Sequence, residues 1–258
     1  MIDLERIERS KDPRRIPLEG RVLVAHQTEF LPWLGFVSKA SMGDLYVMVD
    51  NSQFQKGYFE NRNKIRIKSD CGWSWLTVPV KGKEHIENLD HCYIDGDLWK
   101  KKQLKAITFS YSRAKYFDHY FPELSRIYGK DYERIVDLNK ELIRFAFESF
   151  NVNVPTIGLS ELIESGASIH GQSTEWVISI CKACGADVFV AGSSGPTYLN
   201  RDLFRSNGIE LVFQQFQHPV YSQMHGGFIP NMSFIDLLFN HGSDSIEILG
   251  TSGYETAK

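Results

Sequence analysis

Two apolar runs, Val22-Leu23-Val24-Ala25 and Leu45-Tyr46-Val47-Met48-Val49, are separated by a single helix-length segment. A strand that is apolar at every position has to be covered on both faces, as in parallel sheets flanked by helices. The intervening segment supplies the crossover. Leu34, Val37 and Ala40 recur at helical spacing, Pro32 suits the first turn, Gly43 ends the helix, and Lys39 is expected to turn outward. The order strand, helix, strand predicts an α/β fold with a mostly parallel sheet and flanking helices.

The same pattern returns late in the chain. Gln172 to Cys184 reads as an amphipathic helix, Ala186 to Ala191 and Ile209 to Phe213 as strands, and Ser233 to Asn240 as a last helix capped by Ser233. Between the two α/β stretches, Leu98–Phe109 and Tyr132–Phe150 have helical periodicity, with Ile135, Leu138, Leu142, Phe145 and Phe150 on one stripe. The aromatic run Tyr116, Phe117, His119, Tyr120 and Phe121 is expected to shape a lid or a helix contact. The expected organisation is a polar lead-in over residues 1–20, one α/β domain over 21–245 with a helical insertion at about 98–150, and a tail over 246–258. Asn61 to Ile67 reads as an edge strand after a polar loop, and Trp73 to Val80 as another strand ending near Pro79.

Several function classes are disfavoured. With 29 Lys and Arg against 32 Asp and Glu the formal net charge is −3, so no global basic field attracts nucleic acid. No apolar run reaches the ~18 residues of a membrane span, and Met1-Ile2-Asp3-Leu4-Glu5-Arg6 is charged rather than signal-like, so no membrane partner and a cytoplasmic location are expected. Cys181-Lys-Ala-Cys184 has no second pair to complete four zinc ligands, and no metal is expected. The chain carries no G-x-S-x-G elbow, no P-loop and no G-x-G-x-x-G, and the sequence names no cofactor.

In open α/β sheets the ligand crevice lies outside the carboxyl ends of the strands, where His26, Gln27 and Asp50 are expected to project. His26 is the candidate base and Asp50 its orienting partner, although both residue types serve equally well as structural groups. Gly192-Ser193-Ser194-Gly195 follows a buried strand and reads either as a phosphate-approaching turn or as an ordinary one. Arg62 and Arg66 suit a phosphate fork, Asn61 and Asn63 directional hydrogen bonds, and Phe54, Tyr58, Phe59, Trp73, Trp75, Tyr198 and Tyr221 a surface that stacks on flat or sugar-like groups.

The blocks His26-Gln27, Phe30-Leu31-Pro32-Trp33-Leu34-Gly35, Val49-Asp50, Gln53-Phe54, Asn61-Arg62-Asn63 and Trp75 to Val80 occur in this order. Gly185-Ala186-Asp187, Ala191-Gly192, Tyr198-Leu199, His218-Pro219-Val220-Tyr221 with Gln223, and Phe228 to Ser233 with Asp236 to Asn240 then follow. Together, over about residues 21–242, they resemble the WbqC-like family, with Thr28-Glu29 as a departure from its usual pair. The resemblance adds Trp33, Gln53 and Gln223 to the substrate-binding set. It implies a place in bacterial surface-polysaccharide (O-antigen, lipopolysaccharide) biosynthesis, near amino-sugar decoration. The expected activity is a transferase that moves an acyl or aminoacyl donor group onto the amine of a nucleotide-linked amino sugar. The layout is also similar to the start of the nucleotidyltransferase-like fold, including pantothenate synthetase, which keeps an ATP-dependent amide ligase as an alternative. A non-catalytic nucleotide-sugar binder is the third.

Overall fold

The structure is a computed structural model that describes residues 3–82 and 88–257. The first two positions of the expected lead-in and the last of the expected tail lie outside the described residues. The strands are β1 (Val22–Gln27), β2 (Leu45–Val49), β3 (Arg62–Arg66), β4 (Trp73–Thr77), β5 (Thr156–Gly158), β6 (Val188–Ala191), β7 (Glu210–Gln215) and β8 (Gly253–Thr256). The helices are α1 (Leu34–Ala40), α2 (Leu98–Tyr111), α3 (Phe117–Gly129), α4 (Ile135–Ser149), α5 (Leu159–Glu164), α6 (Thr174–Ala183), α7 (Arg201–Ser206), α8 (Phe234–His241) and α9 (Ser245–Leu249).

Six strands form one sheet in the order β5-β2-β1-β6-β7-β8, parallel throughout except for the antiparallel pair β7–β8. The apolar continuity of its strands has the cause expected of it. Val22, Val24, Tyr46, Met48, Val188 and Val190 pack into a core with α1, α4 and α8, while Leu23, Leu45, Val47, Phe189 and Leu211 pack into a second core with α5, α6 and α7. From β1 the chain moves to one side through β2 and β5, then crosses back to lay β6 on the other side of β1. The order therefore reverses between β1 and β6, and a crevice opens at their carboxyl ends.

The hairpin β3–β4 is a separate two-stranded sheet, so the stretch read as an edge strand does not extend the main sheet. Its central Asn63 and Ile65 are fully buried, and α8 packs beside it. The aromatic run before Pro122 is the start of α3, which packs on α2, α4 and α8; it is a helix contact and not a lid. Residues 12–16 are fastened to the domain: Arg15 grips Asp44 with Nε to Oδ1 at 2.6 Å and Nη2 to Oδ2 at 2.8 Å, and Ile16 enters the core. Among the described residues no helix is long and apolar enough to cross a membrane.

Lys39 corrects the reading of α1. It is 3% exposed, and its Nζ donates to Ala25 O of β1 at 3.0 Å. All seven residues of this helix are buried, so α1 has no solvent face for a lysine to occupy.

Candidate functional site

At the carboxyl ends of β1 and β6 lies a cavity of about 490 Å³. Its walls bring together His26, Gln27, Glu29, Lys39 and Glu60 with Gly192 and Ser194, and Tyr58, Phe59, Trp176 and Tyr198 contribute aromatic surface.

His26 is the last but one residue of β1, with its side chain 30% exposed. Its Nδ1 lies 3.1 Å from Gln27 O, and because a carbonyl only accepts, Nδ1 carries the proton and Nε2 holds the free lone pair. The ring meets Phe36 edge-on at 4.9 Å. Burial, with the Lys39 charge second, lowers His26 to about 3, so the imidazole is neutral at physiological pH.

Around it the ionisable groups are shifted toward their neutral forms. Burial lifts Glu29 to about 8, with Lys39 pulling the other way and Glu60 adding repulsion. Burial lowers Lys39 to about 7 against the attraction of Glu29. Burial raises Glu60 to about 7, opposed by backbone N–H groups of Glu60 and Gln55. Groups poised near neutrality inside a crevice are suited to accept and release protons during a reaction.

The structure brings His26, Gln27, Gly192, Ser194 and Tyr198 into this cavity, while Ser193 is exposed beside it and not in its wall. The expected pairing of Asp50 with His26 is not made. Asp50 accepts from Ser160 N at 2.9 Å and Ser160 Oγ at 2.6 Å, and pairs with Lys140 Nζ at 2.5 Å, so its carboxylate caps α5. Asn61 Nδ2 donates to Val78 O at 2.8 Å and Asn63 Nδ2 to Leu31 O at 2.7 Å, the latter holding Leu31 in a left-handed conformation with φ 45°. Arg62 donates to Gly57 O and stacks on Trp75, 4.2 Å from its centroid. Phe54 is core and Gln53 is exposed. Trp33 packs against Phe216 and lies over Gly35, where a Cβ would collide with its ring.

Tyr221 and Gln223 belong to a second buried network centred on Asp236, which accepts from Tyr111 OH at 2.8 Å, Tyr221 OH at 2.9 Å and Gln223 Nε2 at 2.7 Å. Arg66 is tied into it: Tyr111 OH accepts from its backbone N at 2.8 Å, and its Nη2 donates to Gly226 O at 2.6 Å. Arg66 is 2% exposed and its Nη2 braces the 224–226 loop, while its Nε and Nη1 are buried without a partner away from the β1–β6 cavity wall.

Glu29, Lys39, Ser52, Glu60 and Trp176 were missed by sequence reasoning. A lysine on a short, otherwise apolar helix, and a glutamate preceding Phe30-Leu31, were the available signals. A charge in an apolar context is costly to bury unless it is paired or hydrogen-bonded.

Comparison with known proteins agrees with the block pattern. "Uncharacterized protein Rv1507c" of Mycobacterium tuberculosis (strain ATCC 25618 / H37Rv) is 29% identical over 229 residues, covering 86% of this chain and 95% of that protein. No solved structure matches. The profile of the WbqC-like protein family matches residues 27–248, a span that includes the hairpin, the Asp236 network and the cavity lining apart from Ala25 and His26, and the chain belongs to that family.

Proposed function

We propose that the cavity between β1 and β6 transfers an acyl or aminoacyl group to the amine of a nucleotide-linked amino sugar in bacterial surface-polysaccharide biosynthesis. The observation that carries this reading is His26, held neutral with Nε2 free at the mouth of a cavity of about 490 Å³. The amine nitrogen attacks the acyl carbonyl carbon, the C–N bond forms, and the donor's leaving group departs with its electron pair. The proton shed by the new ammonium centre passes through Nε2 to solvent. Tyr58, Phe59, Trp176 and Tyr198 offer faces for a sugar or base, and Lys39 with the Gly192–Ser194 turn favours a phosphate.

The test is His26→Ala in the folded protein, assayed by mass spectrometry for acylated product from a UDP- or dTDP-linked amino sugar and a panel of acyl donors. The reading expects loss of turnover; a full rate would remove His26 from the chemistry. Product formed only with ATP and with pyrophosphate release would replace transfer by ligation. Nucleotide-sugar binding without product from any donor would make the protein a binder.

A further inference from the structure

Two loops are tied side by side along the cavity. Phe30 N donates to Phe59 O at 2.9 Å, and the fully buried Asn139 of α4 donates from Nδ2 to Glu60 O at 2.8 Å and to Thr28 O at 3.4 Å. These bonds bracket Glu29 on one loop and Glu60 on the other, and both side chains line the cavity. Glu29 is 6% exposed and Glu60 3%, yet the Oε2 of each has no hydrogen-bond partner. Ser52 Oγ, in the same wall, also lacks one.

Buried acceptors left unpartnered are unfavourable unless a ligand completes them. The electrostatics point the same way: burial and the repulsion of Glu60 hold Glu29 at about 8, burial holds Glu60 at about 7, and a cation placed between the two would favour their ionised forms. Such a cation has to donate hydrogen bonds to satisfy the unpartnered acceptors as well. Among the described residues no three His, Cys, Asp or Glu side chains converge to hold a metal ion, whereas a primary ammonium has three donors for these three acceptors.

We infer that the cavity holds the primary ammonium group of its substrate between Glu29 and Glu60, with Ser52 as the third acceptor. This deepens the acyl-transfer reading, on which it rests for the class of substrate, and makes a free amine the group that selects it. The carboxylates also set the order of proton transfers. The bound R–NH₃⁺ gives one proton to Glu60, which is poised at about 7, the resulting R–NH₂ attacks the acyl carbon, and the second proton leaves through His26 Nε2 to solvent.

The test uses D-glucosamine, D-glucose and N-acetyl-D-glucosamine as probes, with dissociation constants measured by NMR titration at neutral pH. Glucosamine is expected to bind at least about tenfold more tightly than the two uncharged sugars, the ratio that ~1.4 kcal/mol supplies. That ratio should collapse toward one in Glu29→Gln and Glu60→Gln. Equal binding of the three sugars to the wild type, no binding of glucosamine, or a preference that survives in both variants would overturn the inference. The wild-type ratio decides by itself if a variant fails to fold. Absence of acyl transfer would leave the amine preference standing, and absence of the preference would leave the role of His26 standing, so the two failures are separable.

Discussion

Replacing Lys39 by Met should stabilise the protein while impairing its cavity. The lysine is buried within α1 and its Nζ donates to Ala25 O, and lowering it from 10.5 to about 7 corresponds to roughly 5 kcal/mol against its charged form. The sign follows from the two states. Below about pH 7 the lysine is charged both folded and unfolded, and the folded state carries the whole penalty. Between about 7 and 10.5 only the unfolded state is charged, and the penalty shrinks as pH rises; above 10.5 it is gone. Methionine has a similar length and no charge. After about 1 kcal/mol for the lost hydrogen bond and some loss of attraction to Glu29, Lys39→Met should gain roughly 2–4 kcal/mol at neutral pH. Urea unfolding of both proteins across this range, with comparable m-values, measures the difference. The gain should be full below about pH 7 and fade as pH rises toward 10.5. A variant less stable than the wild type at every pH would refute the reasoning and show that Lys39 is held by partners strong enough to favour its charge.

Three further outcomes follow from named contacts. His26 should stay neutral to about pH 3 when its imidazole resonances are titrated by NMR, and Lys39→Met should move the transition to higher pH because the Lys39 charge is part of what lowers it. Asp50→Asn should lower stability by about 1–3 kcal/mol through the cap on Ser160 and the Lys140 pair, yet leave the His26 titration in place; a displaced titration would restore Asp50 to the site. Asp236→Ala strands Tyr111, Tyr221 and Gln223 in a buried network and should cost about 3–5 kcal/mol in chemical denaturation, with an effect below 1 kcal/mol arguing against the network.

The sheet was legible because its strands are apolar on both faces, which few arrangements other than a covered parallel sheet allow. The position of the crevice followed from the polar residues that end β1 and from the small residues that follow β6. The composition of the crevice did not follow. Asp50, Asn61, Asn63 and Arg62 have the chemistry of ligand-binding groups, yet each is taken up by a neighbouring Ser160, backbone carbonyl or indole. Whether a polar side chain is free depends on which loop lies beside it, and no local pattern encodes that. The same holds for Glu29 and Glu60, which are distant in sequence and become neighbours only through Phe30–Phe59 and Asn139. Lys39 was read outward because helical periodicity separates one face from another, and a fully buried helix has no outer face. The edge strands β5 and β8 are short and carry little apolar pattern, and pairing with β2 and β7 defines them.

The central claim is that ligand chemistry occurs where β1 and β6 diverge. The most direct measurement is an amide and indole chemical-shift map of the labelled protein titrated with UDP-glucosamine. The account predicts that Gln27, Gly192, Ser194 and the Trp176 indole shift together and saturate with one dissociation constant. Shifts confined to the cationic groove of Lys68, Lys105, Arg113 and His225, with the cavity residues unmoved, would contradict it.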